Sequence, residues 1–145
     1  EQAVGGSRSI VKDVHGGMNP EDLQKLRRLP GNHMCLECGM RHPQWASLTF
    51  GTLLCLSCAG KHRNMGAQVS FVRSLTMDLW TQNQTKAMLE GGNQRFLNYC
   101  RGHEIPQWLP LHLKYSTASA TEYGRRRLPL YDGESNTNGT TTSSS

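Results

Sequence analysis

Cys35-x₂-Cys38 and Cys55-x₂-Cys58 are separated by sixteen residues, and Arg63 follows five positions after the last thiol. A C-x-x-C turn brings two sulfurs within reach of one ion, and zinc takes four such ligands in a tetrahedron. A sixteen-residue spacer is long enough for a hairpin that returns the second pair to the first. With Cys35, Cys38, Cys55 and Cys58 filling all four positions, no site stays open for a catalytic water. The expected group is therefore one structural Zn²⁺, whose binding is coupled to folding at on the order of 10–16 kcal/mol in small zinc modules. Four unligated core thiols, or a redox pair, are the competing explanations. His33, His42 and His62 lie near the knuckles, but a filled site leaves them surface roles or contacts behind the ligands. Cys100 stands apart in an apolar stripe and reads as a core residue.

The elements that must carry these residues are short. Asn19 can cap a helix that Pro20 starts and that Glu21 and Asp22 favour electrostatically, with Pro30-Gly31 as its stop. Trp45 to Cys55 reads as two strands bent at Gly51, and the alternation of Val69, Phe71 and Arg73 suggests a third. Trp80, Gln84, Ala87 and Met88 recur at helical spacing up to Gly91-Gly92. Asn93 can cap the next helix, which buries Phe96 and Leu97, and a last helix is expected from about Pro110 with Leu111, Tyr115 and Ala118 on one stripe. The fold class expected is α+β: a small three-stranded sheet with a Cys₄ zinc finger, surrounded by helices.

The 145 residues suit one domain. Gly5-Gly6 and Gly16-Gly17 mark residues 1–18 as a flexible lead-in, and the Ser/Thr-rich end marks 129–145 as a disordered tail, leaving 19–128 as the folded unit. Five cysteines, four of them in two C-x-x-C pairs, fit a metal site better than a disulfide framework. With no long apolar run and no signal-peptide stretch at the start, a reduced, cytoplasmic compartment is expected. The formal charge of +5 favours acidic partners without choosing among them.

The spacing of the thiols and Arg63, together with Trp45-Ala46-Ser47, Gly51, Ala59 through Gly66, Val72-Arg73-Ser74-Leu75, Asp78, Trp80 and Gly92-Asn93, resembles the Arf GTPase-activating protein domain. Leu48 through Gly51 and Ser70 through Asp78 are most similar to the Golgi-type members. Ala67-Gln68, where the family usually has valine-histidine, is a small departure. The resemblance implies that the chain accelerates GTP hydrolysis on a GTP-bound Arf-family small GTPase in vesicle traffic, peripherally at Golgi or other endomembranes. It also implies that Arg63 is the catalytic arginine, supplied to the partner's nucleotide, and that coat proteins are potential further partners. No Gly-x₄-Gly-Lys-Ser/Thr loop occurs here, so the nucleotide belongs to the partner. Trp45 is expected to pack on the zinc cluster and the base of the Arg63 helix. Arg73 is expected to pair with Asp78, and Lys25, Arg27, Arg28 and Arg125-Arg126-Arg127 could face an anionic membrane.

Two other readings fit parts of the pattern. A DNA-binding module of the GATA type also pairs two knuckles, but needs a dense basic helix and tail. Only Lys61, His62 and Arg63 follow the second knuckle closely, and no nucleic-acid partner is expected. A noncatalytic adaptor would keep the fold and bind the GTPase without accelerating hydrolysis.

Overall fold

The structure, a computed structural model, describes residues 16–132. The expected lead-in up to residue 15 and the tail from 133 lie outside the described residues.

Helix α1, Pro20–Arg28, begins as its sequence dictates: Asn19 Oδ1 accepts from the amides of Glu21 and Asp22. Residues 16–18, expected to belong to the lead-in, dock on the domain. Gly17 N donates to Asp78 O at 2.6 Å and Met18 N to Leu75 O at 2.9 Å, and Met18 is buried.

Strands β1 (Trp45–Ser47), β2 (Thr52–Leu54) and β3 (Val72–Ser74) form an antiparallel sheet in the order β2-β1-β3. Ala46 faces Leu53 on one side and Arg73 on the other. The bend between β1 and β2 needs a positive φ at Gly51 (66°), and a side chain there would strike the Arg127 guanidinium at 2.6 Å. The third strand is shorter than its alternation suggested. Val69 lies in a turn ahead of it, and Val72 and Ser74 are the buried residues.

Helix α2, Leu56–Asn64, leaves the second knuckle directly, with Cys55 as its N-cap. The chain turns away at Gly66, whose φ is 98° and whose amide bonds to Arg63 O. Helix α3, Gln82–Leu89, starts two residues later than Trp80 would require, because Thr81 and Gln84 form a capping box. Trp80 therefore belongs to the approach to the helix, where its indole donates to Ser74 O at 2.9 Å.

In α4, Asn93–Gly102, the N-cap is Gly92 and not Asn93. The Asn93 side chain turns inward instead. Its Oδ1 accepts from Leu53 N at 2.7 Å and its Nδ2 donates to the carbonyls of Gly31 and Met34 at 3.0 and 2.8 Å. A buried amide that fills its bonds this way ties the start of α4 to β2 and to the chain after α1.

The expected single last helix is two: α5, Leu111–Lys114, and α6, Ala118–Asp132. Thr117 separates them, its hydroxyl bonding Lys114 O and accepting from Ala120 N. Helix α6 runs through Pro129 past the expected boundary at 128, with Tyr131 buried. It packs against α3.

Candidate metal centre and arginine site

The four cysteines converge. Their sulfurs all lie within 4.8 Å of one another, and Cys38 Sγ stands 3.6 Å from Cys55 Sγ. Sulfurs about 2.3 Å from a common zinc would sit about 3.8 Å apart, so the cluster is the size of one tetrahedral site. Backbone amides support the knuckles: Glu37 N donates to Cys35 Sγ and Cys58 N to Cys55 Sγ, each at 3.4 Å. Burial opposes ionisation of the Cys55 thiol, yet the Cys58 amide and the neighbouring sulfurs bring it down to about 7. The Cys58 thiol is pushed up, by burial first and by the charge at Cys35 next. Such crowding of buried thiols is resolved by a cation at their centre, and the donor set fits zinc.

Helix α2 carries the arginine outward. At 1.5 Å per residue, Arg63 stands about 7.5 Å along the axis from Cys58. The side chain is exposed, and its guanidinium carbon lies 4.7 Å from the centroid of the Trp45 ring. No carboxylate among the described residues pairs with it. The indole face restrains the cation by about 0.5–1 kcal/mol without neutralising it. Trp45 itself packs against the cluster of Cys35, Cys55, Cys58 and Val72, so one ring touches both the thiolate core and the arginine. The result is a fixed, solvent-facing positive charge.

Behind α2 lies a buried polar network. His62, fully buried, donates from Nε2 to Glu37 Oε2 at 2.9 Å, since a carboxylate only accepts. His62 Nδ1 meets the Ser70 hydroxyl at 2.8 Å, and Ser70 meets the Ser47 hydroxyl at 2.8 Å. Glu37 also accepts from Lys114 Nζ at 2.6 Å and from the Tyr115 hydroxyl. Lys114, itself 1% exposed, donates as well to Gln107 Oε1 at 3.0 Å. Burial works against the Glu37 carboxylate, but the His62 bond and the Lys114 charge hold it down at about 2. Tyr115 is pushed well above its ordinary value by burial and by the Glu37 charge.

Several expectations meet their places. Arg73 Nη1 stands 4.0 Å from Asp78 Oδ1, and Cys100 is buried in the aromatic cluster. The Arg125–Arg127 run does not form a free basic face. Arg125 and Arg126 pair with Glu122, and Arg127 is buried, donating to the carbonyls of Thr49, Ala87 and Leu48 at 3.1–3.2 Å. Arg27 likewise donates to Pro43 O and the Gln44 side chain. Sequence reasoning missed Glu37, Lys114 and Tyr115. A carboxylate placed inside a C-x-x-C knuckle was the available signal for Glu37. Nothing in the chain pointed to a lysine 77 residues away as its partner.

The family profile described as "Putative GTPase activating protein for Arf" matches residues 20–127. The chain is similar to the ADP-ribosylation factor GTPase-activating protein GCS1 of Saccharomyces cerevisiae, 40% identical over 101 residues, covering 70% of this chain and 29% of that protein. It is similar to ADP-ribosylation factor GTPase-activating protein 3 of Bos taurus, 34% identical over 119 residues, covering 81% of this chain and 23% of that one. It thus spans less than a third of the length of these relatives. A crystal structure titled as a putative GTPase-activating protein for ADP ribosylation factor, from Cryptosporidium parvum, matches with a TM-score of 0.65 and 33% identity, covering 82% of this chain and 95% of that one. No helix among the described residues is long and apolar enough to cross a membrane.

Proposed function

The chain belongs to the ArfGap family, and from that premise we propose that it accelerates GTP hydrolysis on a GTP-bound Arf-family small GTPase, with Arg63 supplied in trans. One observation carries the reading: an exposed guanidinium, unpaired with any described carboxylate, rests on Trp45 at the end of a helix that starts at the thiolate cluster.

The chemistry follows from charge. In the transition state of phosphoryl transfer, negative charge spreads over the phosphate oxygens, and nucleotide and magnesium are held by the GTPase. A guanidinium offers permanent charge and fork-shaped donors to those oxygens. Arginine fingers in other GTPases are worth on the order of 10³–10⁵ in rate, about 4–7 kcal/mol. Zinc, held by Cys35, Cys38, Cys55 and Cys58, supplies rigidity to this chain and takes no part in the reaction. Trp45 limits the rotamers that Arg63 must give up when it enters the partner's site. An arginine already committed to a carboxylate would have to break that pair first; among the described residues Arg63 has none to break.

In this reading the work is done peripherally at Golgi or other endomembranes, on a partner that is itself membrane-bound. The exposed Lys25 and Arg28 of α1 are candidate cations for contact with anionic lipid, and coat proteins are candidate further partners. The test is single-turnover hydrolysis by a GTP-loaded Arf protein, with this chain and its Arg63→Ala and Arg63→Lys variants. Both variants are expected to lose several orders of magnitude in rate with zinc content unchanged. No acceleration by the original chain would favour an adaptor instead.

A further inference from the structure

Within its own span helix α2 has few apolar anchors, although Met65, its C-cap, packs against the aromatic cluster. The buried residues of the helix are Cys58, Ala59 and His62. The first two lie in its first half, against the metal cluster. In the second half, which carries Arg63, His62 is the one buried side chain. Both of its ring nitrogens are bonded, to Ser70 on one side and to Glu37 on the other. His62 and Arg63 are adjacent, so a rotation of the helix about its axis that slackened His62 would swing the arginine with it.

Glu37 is the hub of this restraint. It lies between the two ligands of the first knuckle, and its carboxylate reaches α2 through His62 and α5 through Lys114, with Tyr115 just beyond. The first knuckle, α2 and the end of α5 are thereby tied together through one carboxylate. Burying an ion pair is a poor route to stability, because apolar residues of equal volume usually do as well. What such a pair can add is a single orientation. We infer that the Glu37–Lys114 pair and the Ser70–His62 bond are positioning devices for Arg63, fixing the rotation of α2 and so the direction in which the guanidinium points. The inference rests on the reading of Arg63 as the arginine supplied to the partner, and makes Glu37, Lys114, His62 and Ser70 positioning residues with no contact to the nucleotide.

Two variants test it in the full chain. Glu37→Gln with Lys114→Met removes both charges together, so that neither is left buried alone, and Ser70→Ala cuts the opposite end of the His62 restraint without touching the knuckle. In single-turnover hydrolysis with a saturating GTP-loaded Arf protein, each is expected to lower the maximal rate on the order of 10–100-fold. The concentration for half-maximal effect and the zinc-to-chain ratio stay unchanged. Placed in an Arg63→Ala background, neither lowers the rate further. A rate that falls just as much without Arg63, or that does not fall at all, overturns the proposal. So does loss of zinc or of folding in both variants, which assigns the network to stability.

A second readout needs no GTPase. In the free chain, the Arg63 side-chain resonances carry a ring-current shift from Trp45, and both variants are expected to diminish it. An unchanged shift refutes the positioning role whatever hydrolysis shows. If Arg63→Ala alone leaves hydrolysis intact, the arginine reading fails, while the shift still decides whether the network places the side chain.

Discussion

Around the four cysteines the buried apolar set is small: Leu54, Ala59 and Val72, with Leu36 and Trp45 packed at its edge. On the helical side, Phe50, Phe96 and Tyr115 pack ring on ring, with centroids 4.7–5.9 Å apart, and Tyr123 joins through Phe96 at 5.0 Å. The first region cannot hold its shape by area alone, and its order depends on a metal and on a buried polar network. The second is an ordinary close-packed core. The arginine sits on the metal-held side. A site that must present an unpaired charge to solvent cannot bury its own helix deeply, and a thiolate cluster gives rigidity at little cost in apolar area. The two regions are not separate, however. Tyr115 belongs to the aromatic core and also donates to Glu37 beside the thiolates, so disturbance on one side is felt on the other.

The comparison can be broken most severely by taking the metal away. Chelation, or Cys55→Ser, is expected to remove on the order of 10 kcal/mol of coupled binding, more than a domain of this size can spare. Near-UV circular dichroism should collapse over the whole chain, because the sheet and Tyr115 are shared. A metal-free chain with its aromatic signal intact would show the helical side to be self-sufficient. Next in size, Phe96→Ala should cost about 3–5 kcal/mol as a core cavity, lowering Tm while zinc stays stoichiometric; loss of zinc in this variant would contradict the division. Arg127→Met strips three carbonyls, two of them in buried bonds, of their donor and should cost on the order of 2–4 kcal/mol, read by denaturant midpoint, with the β1–β2 turn loosened. Trp45→Phe is expected to act least on stability. Phenylalanine keeps a ring but gives a weaker cation face, so a fall in maximal rate of a few fold at unchanged KM is the expected outcome.

Much of this was legible in the residues. The thiol spacing gave the metal centre, Asn19-Pro20 gave the first helix, and Gly51 gave the bend of the sheet, each through a local rule that no distant contact overrides. Errors came where a distant partner decided. Asn93 has the chemistry of a cap, but the amide of Leu53 and two carbonyls claimed its side chain. Arg127 looked like part of a solvated basic run, but it is buried, bonded to two carbonyls of the β1–β2 turn and to Ala87 O of α3. Trp80 is a local exception: it fell at helical spacing, yet the Thr81–Gln84 box set the helix start two residues later. The Glu37–Lys114 pair was beyond reach for the same reason, since a contact across 77 residues leaves no periodicity to read.

The central claim is that a metal-anchored helix presents Arg63, as a fixed and unpaired cation, to the nucleotide of another protein. Single-turnover hydrolysis of GTP bound to an Arf-family GTPase, compared between the chain and its Arg63→Lys variant at equal zinc content, tests it most directly. Lysine keeps the charge but loses the planar fork, and the account predicts a rate several orders of magnitude lower. Equal rates for the two would contradict it.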